Sequence, residues 1–198
     1  MRKSSELILL FSLLLLFIVG FNLSQIVTVH ASEQWKVVSR SDWQYVAKVA
    51  PPGLMQKVVQ ENIAESWLGD PGRMKIVRFQ TPKQKTNFYL INTKVQDKCP
   101  SNGCSSFADP LCGSAGCAYF IYVQEGNSYR KVLSEYFKNV LPPKVPFLRV
   151  SNQLGSGFPC LEFTELINLT SSNLKSRKFC YSGKNFSLVG SKTRSFSE

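Results

Sequence analysis

Four of the six cysteines, Cys99, Cys104, Cys112 and Cys117, fall within nineteen residues and are separated by four, seven and four positions. Thiols grouped in this way can hold a tetrahedral zinc ion, exchange electrons as a dithiol, or close as disulfides. Zinc sites more often place two residues between paired cysteines, and the reactive redox motif is Cys-x-x-Cys, which the chain lacks. An even cysteine count in an oxidising compartment makes disulfides the default, and neither a metal nor a cofactor is expected. Six cysteines allow fifteen pairings, of which the local one is expected: Cys99 with Cys104, Cys112 with Cys117, and Cys160 with Cys180. In the chain-entropy model each short loop contributes about 2 kcal/mol and the longer one about 3 kcal/mol. The short bridges therefore shape a loop more than they hold a domain together.

Other side chains suited to chemistry are few. His30 is the only histidine, and it lies in a segment read below as removed on export. Its loss excludes histidine triads, Cys/His dyads and His-ligated metals from the remaining chain. A serine nucleophile spaced from a lysine base, Ser-x-x-Lys, occurs twice, as Ser128 with Lys131 and as Ser172 with Lys175, without the Ser-Asp-Asn and Lys-Thr-Gly partners that give it meaning. Glycosidase chemistry needs two carboxylates facing a common cleft. Glu162 and Glu165 on one strand would point to opposite faces, and Asp109 serves an Asp-Pro turn as readily as a reaction. Glu61 and Glu65, one turn apart, read as the solvated side of a helix. No enzymatic activity is expected, the alternative being a hydrolase using carboxylate or Ser/Lys chemistry.

The N-terminus sets the compartment. Arg2 and Lys3 precede an apolar run from Leu7 to Phe21, relieved only by Ser12 and Gly20, and a more polar stretch ends in Val29-His30-Ala31. This is the pattern of a secretory signal peptide, with the small residues Val29 and Ala31 placing cleavage before Ser32. An N-terminal membrane anchor is the alternative, but the apolar run is short of the ~20 residues that span the hydrocarbon core as a helix. Without residues 1–31 the chain keeps 167 residues, 22 Lys and Arg (24 less Arg2 and Lys3) and 12 Asp and Glu (13 less Glu6), a net charge of +10. Between Glu165 and Glu198 there is no acid, while Lys175, Arg177, Lys178, Lys184, Lys192 and Arg194 all lie there. Such a field favours anionic surfaces. In an exported protein these are lipid headgroups or acidic polymers, and not nucleic acid, so the six cations are the candidate anion-binding residues.

The elements that position these groups follow from periodicity. A capping box at Ser41 and Gln44 predicts a first helix ending at Pro51-Pro52-Gly53. Leu54, Met55, Val58, Val59, Ile63 and Trp67 recur at helical steps and predict a second, stopped by Gly69 and Pro71-Gly72. Period-two runs over 74–79 and 87–94, joined by a polar connection, predict a hairpin. Ala118 to Val123, aromatic and β-branched almost throughout, predicts a central strand covered on both faces. Further strands are expected over 129–137, 147–150 and 160–166, and a last hairpin over 178–189. The pattern Gly-x-x-aromatic-x-x-Val occurs at Gly126 to Val132 and again at Gly183 to Val189. We read it as two hairpins sharing one turn chemistry.

Cys112-Gly-Ser-Ala-Gly-Cys117 followed by an aromatic strand, a Gly-containing turn and a second strand, then Gly157-Phe158-Pro159 and a closing Tyr-x-Gly-x-x-Phe at Tyr181 to Phe186, resembles a loose group of small exported bacterial proteins of unknown function with a CGSxGC loop ahead of a β-meander. The resemblance covers about the last hundred residues, and the Cys99–Cys104 loop has no counterpart in it. It implies an envelope location and a Cys112–Cys117 bridge, and brings no activity with it. The whole reading is a signal peptide over 1–31, one α+β domain over 32–189 with two N-terminal helices packed on an antiparallel sheet, and a disordered basic tail over 190–198. The expected role is that of a non-catalytic, exported binding module, periplasmic or extracellular. Its loops from Cys99 to Cys117 would meet an envelope protein, and its basic C-terminal third would meet an anionic polymer or lipid surface. A lysozyme-inhibitor-like protein acting on a cell-wall hydrolase is the alternative within binding.

Overall fold

The computed structural model describes residues 33–64, 70–80, 86–95, 109, 111–138, 140–167 and 172–196. The chain divides into Met1–Ser32 and Glu33–Glu198. The first unit, and with it the expected signal peptide, lies outside the described residues, as do Cys99, Cys104, Glu65 and Trp67.

The fold is mainly β, not the single-sheet α+β arrangement expected. Among the described residues there are two antiparallel sheets. The central sheet holds β2 (Gln44–Tyr45), β3 (Lys75–Gln80), β4 (Asn87–Asn92) and β6 (Gly116–Glu125) in that order, with β7 (Ser128–Phe137) and the two-residue β5 (Cys112–Gly113) also paired to β6. The outer sheet runs β1 (Trp35–Val38), β8 (Leu148–Gly155), β9 (Phe158–Leu166), β10 (Asn173–Tyr181), β11 (Phe186–Ser195). Between the sheets lie Phe88, Tyr119, Ile121, Phe137, Phe163 and Phe179. Aromatic contacts knit this layer, with Phe137 stacked on Phe163 at 4.2 Å.

Alternation along β6 explains the layering. Tyr119, Ile121 and Val123 face the outer sheet, while Ala118, Phe120 and Tyr122 face a second cluster with Val46, Leu54 and Val58. Both faces of β6 are thus covered, as its unbroken apolar run predicts.

The helical part is smaller than periodicity implied. The capping box forms two residues earlier than expected: the Asp42 carboxylate accepts from the Ser39 N–H at 2.7 Å and from Ser39 Oγ at 2.9 Å, closing a 3₁₀ turn over Arg40–Asp42. Gln44 and Tyr45 then pair with β3, so the first helix shrinks to the single turn α1 (Val46–Val49). The second, α2 (Leu54–Asn62), starts at Gly53 in the left-handed conformation and is capped by an extended Ile63. Two sheets burying each other therefore carry the fold, and the helices only cover the far face of one of them.

The expected disordered tail is also corrected. Residues 190–195 are the second half of β11, paired with β10 from Tyr181 with Phe186 to Asn173 with Ser195. Edge position explains why this strand lacks alternation: nine of its ten residues are exposed, so neither face demands apolar side chains.

Candidate functional site

The basic third of the chain folds into the β10–β11 ribbon at one edge of the outer sheet. Its turn is built locally. Gly183 takes a φ of 92°, the Ser182 N–H donates to the Asn185 carbonyl at 3.0 Å, and the Tyr181 hydroxyl donates to the Gly183 carbonyl at 2.9 Å. Arg130 on β7 braces it by donating to Tyr181 Oη at 3.0 Å and to the Lys184 carbonyl. The Cys160–Cys180 disulfide ties β10 to β9, and Cys112–Cys117 closes the β5–β6 turn, both as expected. The bridge implied by the resemblance is thus present, and these four sulfurs are not available as metal ligands.

Register sorts the six expected anion-binding cations. Residues directly opposite across an antiparallel pair share a face, so Lys192, opposite Ser176, and Arg194, opposite Leu174, lie with Lys178 on the side away from the core. Lys175 and Arg177 point to the other side. Two of the six are consumed internally. Arg177 lies 4.3 Å over the Phe137 ring, donates to Glu135 at 3.1 Å and to the Tyr136 carbonyl at 2.7 Å, and sits 3.2 Å from the Glu165 carboxylate. Lys178 pairs with Glu33 at 2.8 Å and lies 5.5 Å over Trp35. Burial works to raise the Glu33 carboxyl, but the bonds from Lys178 and Ser151 outweigh it and hold the group below its ordinary range. Lys175, Lys184, Lys192 and Arg194 are exposed and form no ion pair among the described residues. Lys192 and Arg194, two apart on one side of β11, stand about 7 Å apart.

The candidates for reaction chemistry are not brought together. Glu162 is buried against Arg149, which donates through Nε at 3.0 Å, and Glu165 belongs to the Arg177 cluster on the opposite face. Asp109 accepts from the Val95 N–H at 2.7 Å and its carbonyl accepts from the Cys112 N–H at 2.9 Å, which fixes the approach to the disulfide turn. Ser128 donates to the Glu125 carbonyl while Lys131 donates to Asn62 Oδ1, so this Ser/Lys pair is split. Lys175 and Ser172 are likewise three apart in extended chain and face different ways.

No protein-family model, curated protein or solved structure matches the chain. The functional reading therefore rests on its own geometry. Among the described residues no helix is long and apolar enough to cross a membrane.

One polar constellation escaped the sequence reading. Glu61, read as a solvated helix residue, accepts from Tyr122 Oη at 2.9 Å and pairs with Lys57 at 2.8 Å, while Asn62 donates to the same hydroxyl at 2.9 Å and accepts from Lys131 at 2.6 Å. Tyr122 is fully buried, and burial together with its bond to Glu61 pushes its hydroxyl well above the ordinary range. The available signal was Tyr122 itself, because a tyrosine inside a two-sided strand must find a partner for its hydroxyl. The cluster fastens α2 to β6 and β7.

Proposed function

We propose that the chain is an exported, disulfide-stabilised, non-catalytic binding module whose β10–β11 ribbon docks on an anionic surface of the cell envelope. The observation that carries this reading is the group of four exposed cations, Lys175, Lys184, Lys192 and Arg194, which form no ion pair among the described residues and lie in a segment without acids. Cations that serve the fold are paired, as Arg177 and Lys178 are. Those without an ion pair lie on a ribbon braced by a disulfide and by Arg130, which fixes the spacing of their main chain before docking and so favours attraction of a charged surface.

Co-sedimentation with vesicles carrying anionic lipid, with zwitterionic vesicles and with an acidic polysaccharide tests the proposal. Binding to an anionic arm is expected at about 0.01 M salt, where the Debye length is about 30 Å, and should fall sharply by about 0.15 M, where it is about 8 Å. Replacing all four cations by glutamate should abolish it with the fold intact. Retention of binding by that variant, or equal binding to zwitterionic vesicles, would sink the reading.

A further inference from the structure

Strand β2 pairs with β3 only through Gln44 with Ile76 and Tyr45 with Lys75, because the 3₁₀ turn at Arg40–Asp42 carries the preceding chain away. On this side of β3 the Met74 carbonyl accepts from the Val46 N–H at 2.8 Å. Main-chain groups of alternate strand residues point the same way. Ile76, Arg78 and Gln80 therefore present theirs towards β2, while Lys75, Val77 and Phe79 face β4. Ile76 has its partner in Gln44, but among the described residues no strand lies opposite Arg78 and Gln80 on that side.

A groove of about 550 Å³ opens where β2 leaves, lined by Val38, Val49, Phe79 and Val150, with Lys36 and Arg78 beside them. Both cations are exposed and neither forms an ion pair among the described residues. Among the described lining residues the acid is Asp42, whose carboxylate accepts from the Ser39 N–H and hydroxyl and is also influenced by the charge of Lys36. The free length of β3, Val77 to Gln80, is about 13 Å at ~3.3 Å per residue, enough for a strand of four or five residues. Unpaired main chain supplies the ladder, the apolar wall takes every second side chain of an added strand, and the two cations select acidic neighbours.

We propose that this groove binds an acidic polypeptide segment in extended conformation, added as a short strand to the free edge of β3. The edge of β11 is a poorer template, since nine of its ten residues are exposed and it offers no apolar wall for the alternate side chains of an added strand. The groove lies at the β1 end of the outer sheet and the basic ribbon at the β11 end, so this inference does not rest on the proposed function.

Amide hydrogen exchange on the purified protein tests it, with three capped peptides as probes: Val-Glu-Val-Glu-Val-Glu, the same peptide N-methylated at alternate residues, and Val-Lys-Val-Lys-Val-Lys. The acidic peptide is expected to slow exchange at the Arg78 and Gln80 amides at least tenfold and to leave Val77 and Phe79, already paired with β4, unchanged. The N-methylated and lysine peptides, and the acidic peptide against the double variant K36E/R78E, should bind at least tenfold more weakly. Equal binding of the N-methylated peptide, or protection appearing in β11 instead, would reduce the effect to charge attraction and overturn the proposal. Protection of Arg78 without peptide, rising with protein concentration, would make a second copy the occupant and overturn it equally.

Discussion

The hairpins β6–β7 and β10–β11 share Gly-x-x-aromatic-x-x-Val, and both turn on a glycine of positive φ, 61° at Gly126 and 92° at Gly183. Their fates differ. Val132 in the first is 3% exposed and Val189 in the second 57%. A short motif settles the turn, because it acts through local backbone geometry. What covers the arms settles burial: β7 and β11 each pair with one strand among the described residues, but Val132 on β7 packs into the layer between the sheets whereas nine of the ten residues of β11 are exposed. The sharpest break of the comparison is a core deletion in each. Ile121→Ala should cost about 2–5 kcal/mol, and Val189→Ala should stay within about 0.5 kcal/mol, read from urea unfolding midpoints. Similar losses in both would show that the second hairpin is packed after all.

Glycines separate the two regions next. Gly116 at the head of β6 has a φ of 103°, and a Cβ there would collide with the Phe137 carbonyl. Gly116→Ala should cost about 1–3 kcal/mol from backbone conformation alone, with the displacement of β7 added. Gly190 in β11 has open space around it and no positive φ, so Gly190→Ala should be neutral or stabilise by up to about 1 kcal/mol. Thermal unfolding of the two variants checks both signs.

Arginines make the same point within the basic ribbon. Arg177, 15% exposed in its side chain, holds Glu135 and Glu165 and covers Phe137. Arg177→Ala leaves a half-buried Glu165 without its cation, and should cost about 1–3 kcal/mol. Arg194→Ala should leave stability within about 0.5 kcal/mol and instead weaken binding to the anionic surface. A loss of stability without loss of binding at position 194 would place that residue in the fold.

What was legible in the sequence follows the same division. The central strand over 118–123, both hairpin turns and the described disulfides are local or strongly patterned features, and each is present. The split into two sheets was not legible, because the pairing of Trp35 with Ser151 or of Leu174 with Leu166 leaves no period in the chain. Strand β11 resembled a tail because an exposed edge imposes no alternation. Six cations in one acid-free segment looked equivalent. Long-range contacts divide them: Arg177 and Lys178 pair with carboxylates of Glu33, Glu135 and Glu165, while the other four form no ion pair among the described residues. Glu61 looked solvated because its partner Tyr122 is sixty-one residues away.

The smallest effect is expected from that last pair. Burial works to raise the Glu61 carboxyl, yet the bonds from Lys57 and Tyr122 and the charges of Lys57 and Lys131 outweigh it, so the folded value lies below the ordinary 4.5. A group whose value is depressed by folding adds stability that is fully present above its unfolded value and is lost as pH falls through the folded one. Glu61→Gln should therefore lower the unfolding temperature most near neutral pH, and the difference from wild type should shrink below about pH 4.5 as the carboxyl protonates and comes to resemble the amide. In the second hairpin Lys184, which has no ion pair among the described residues, supplies the control: Lys184→Gln should give no difference that varies over the same range. If the Glu61 difference stays constant into acid, the carboxylate acts only by packing, and the charge that distinguishes the first hairpin from the second lies elsewhere.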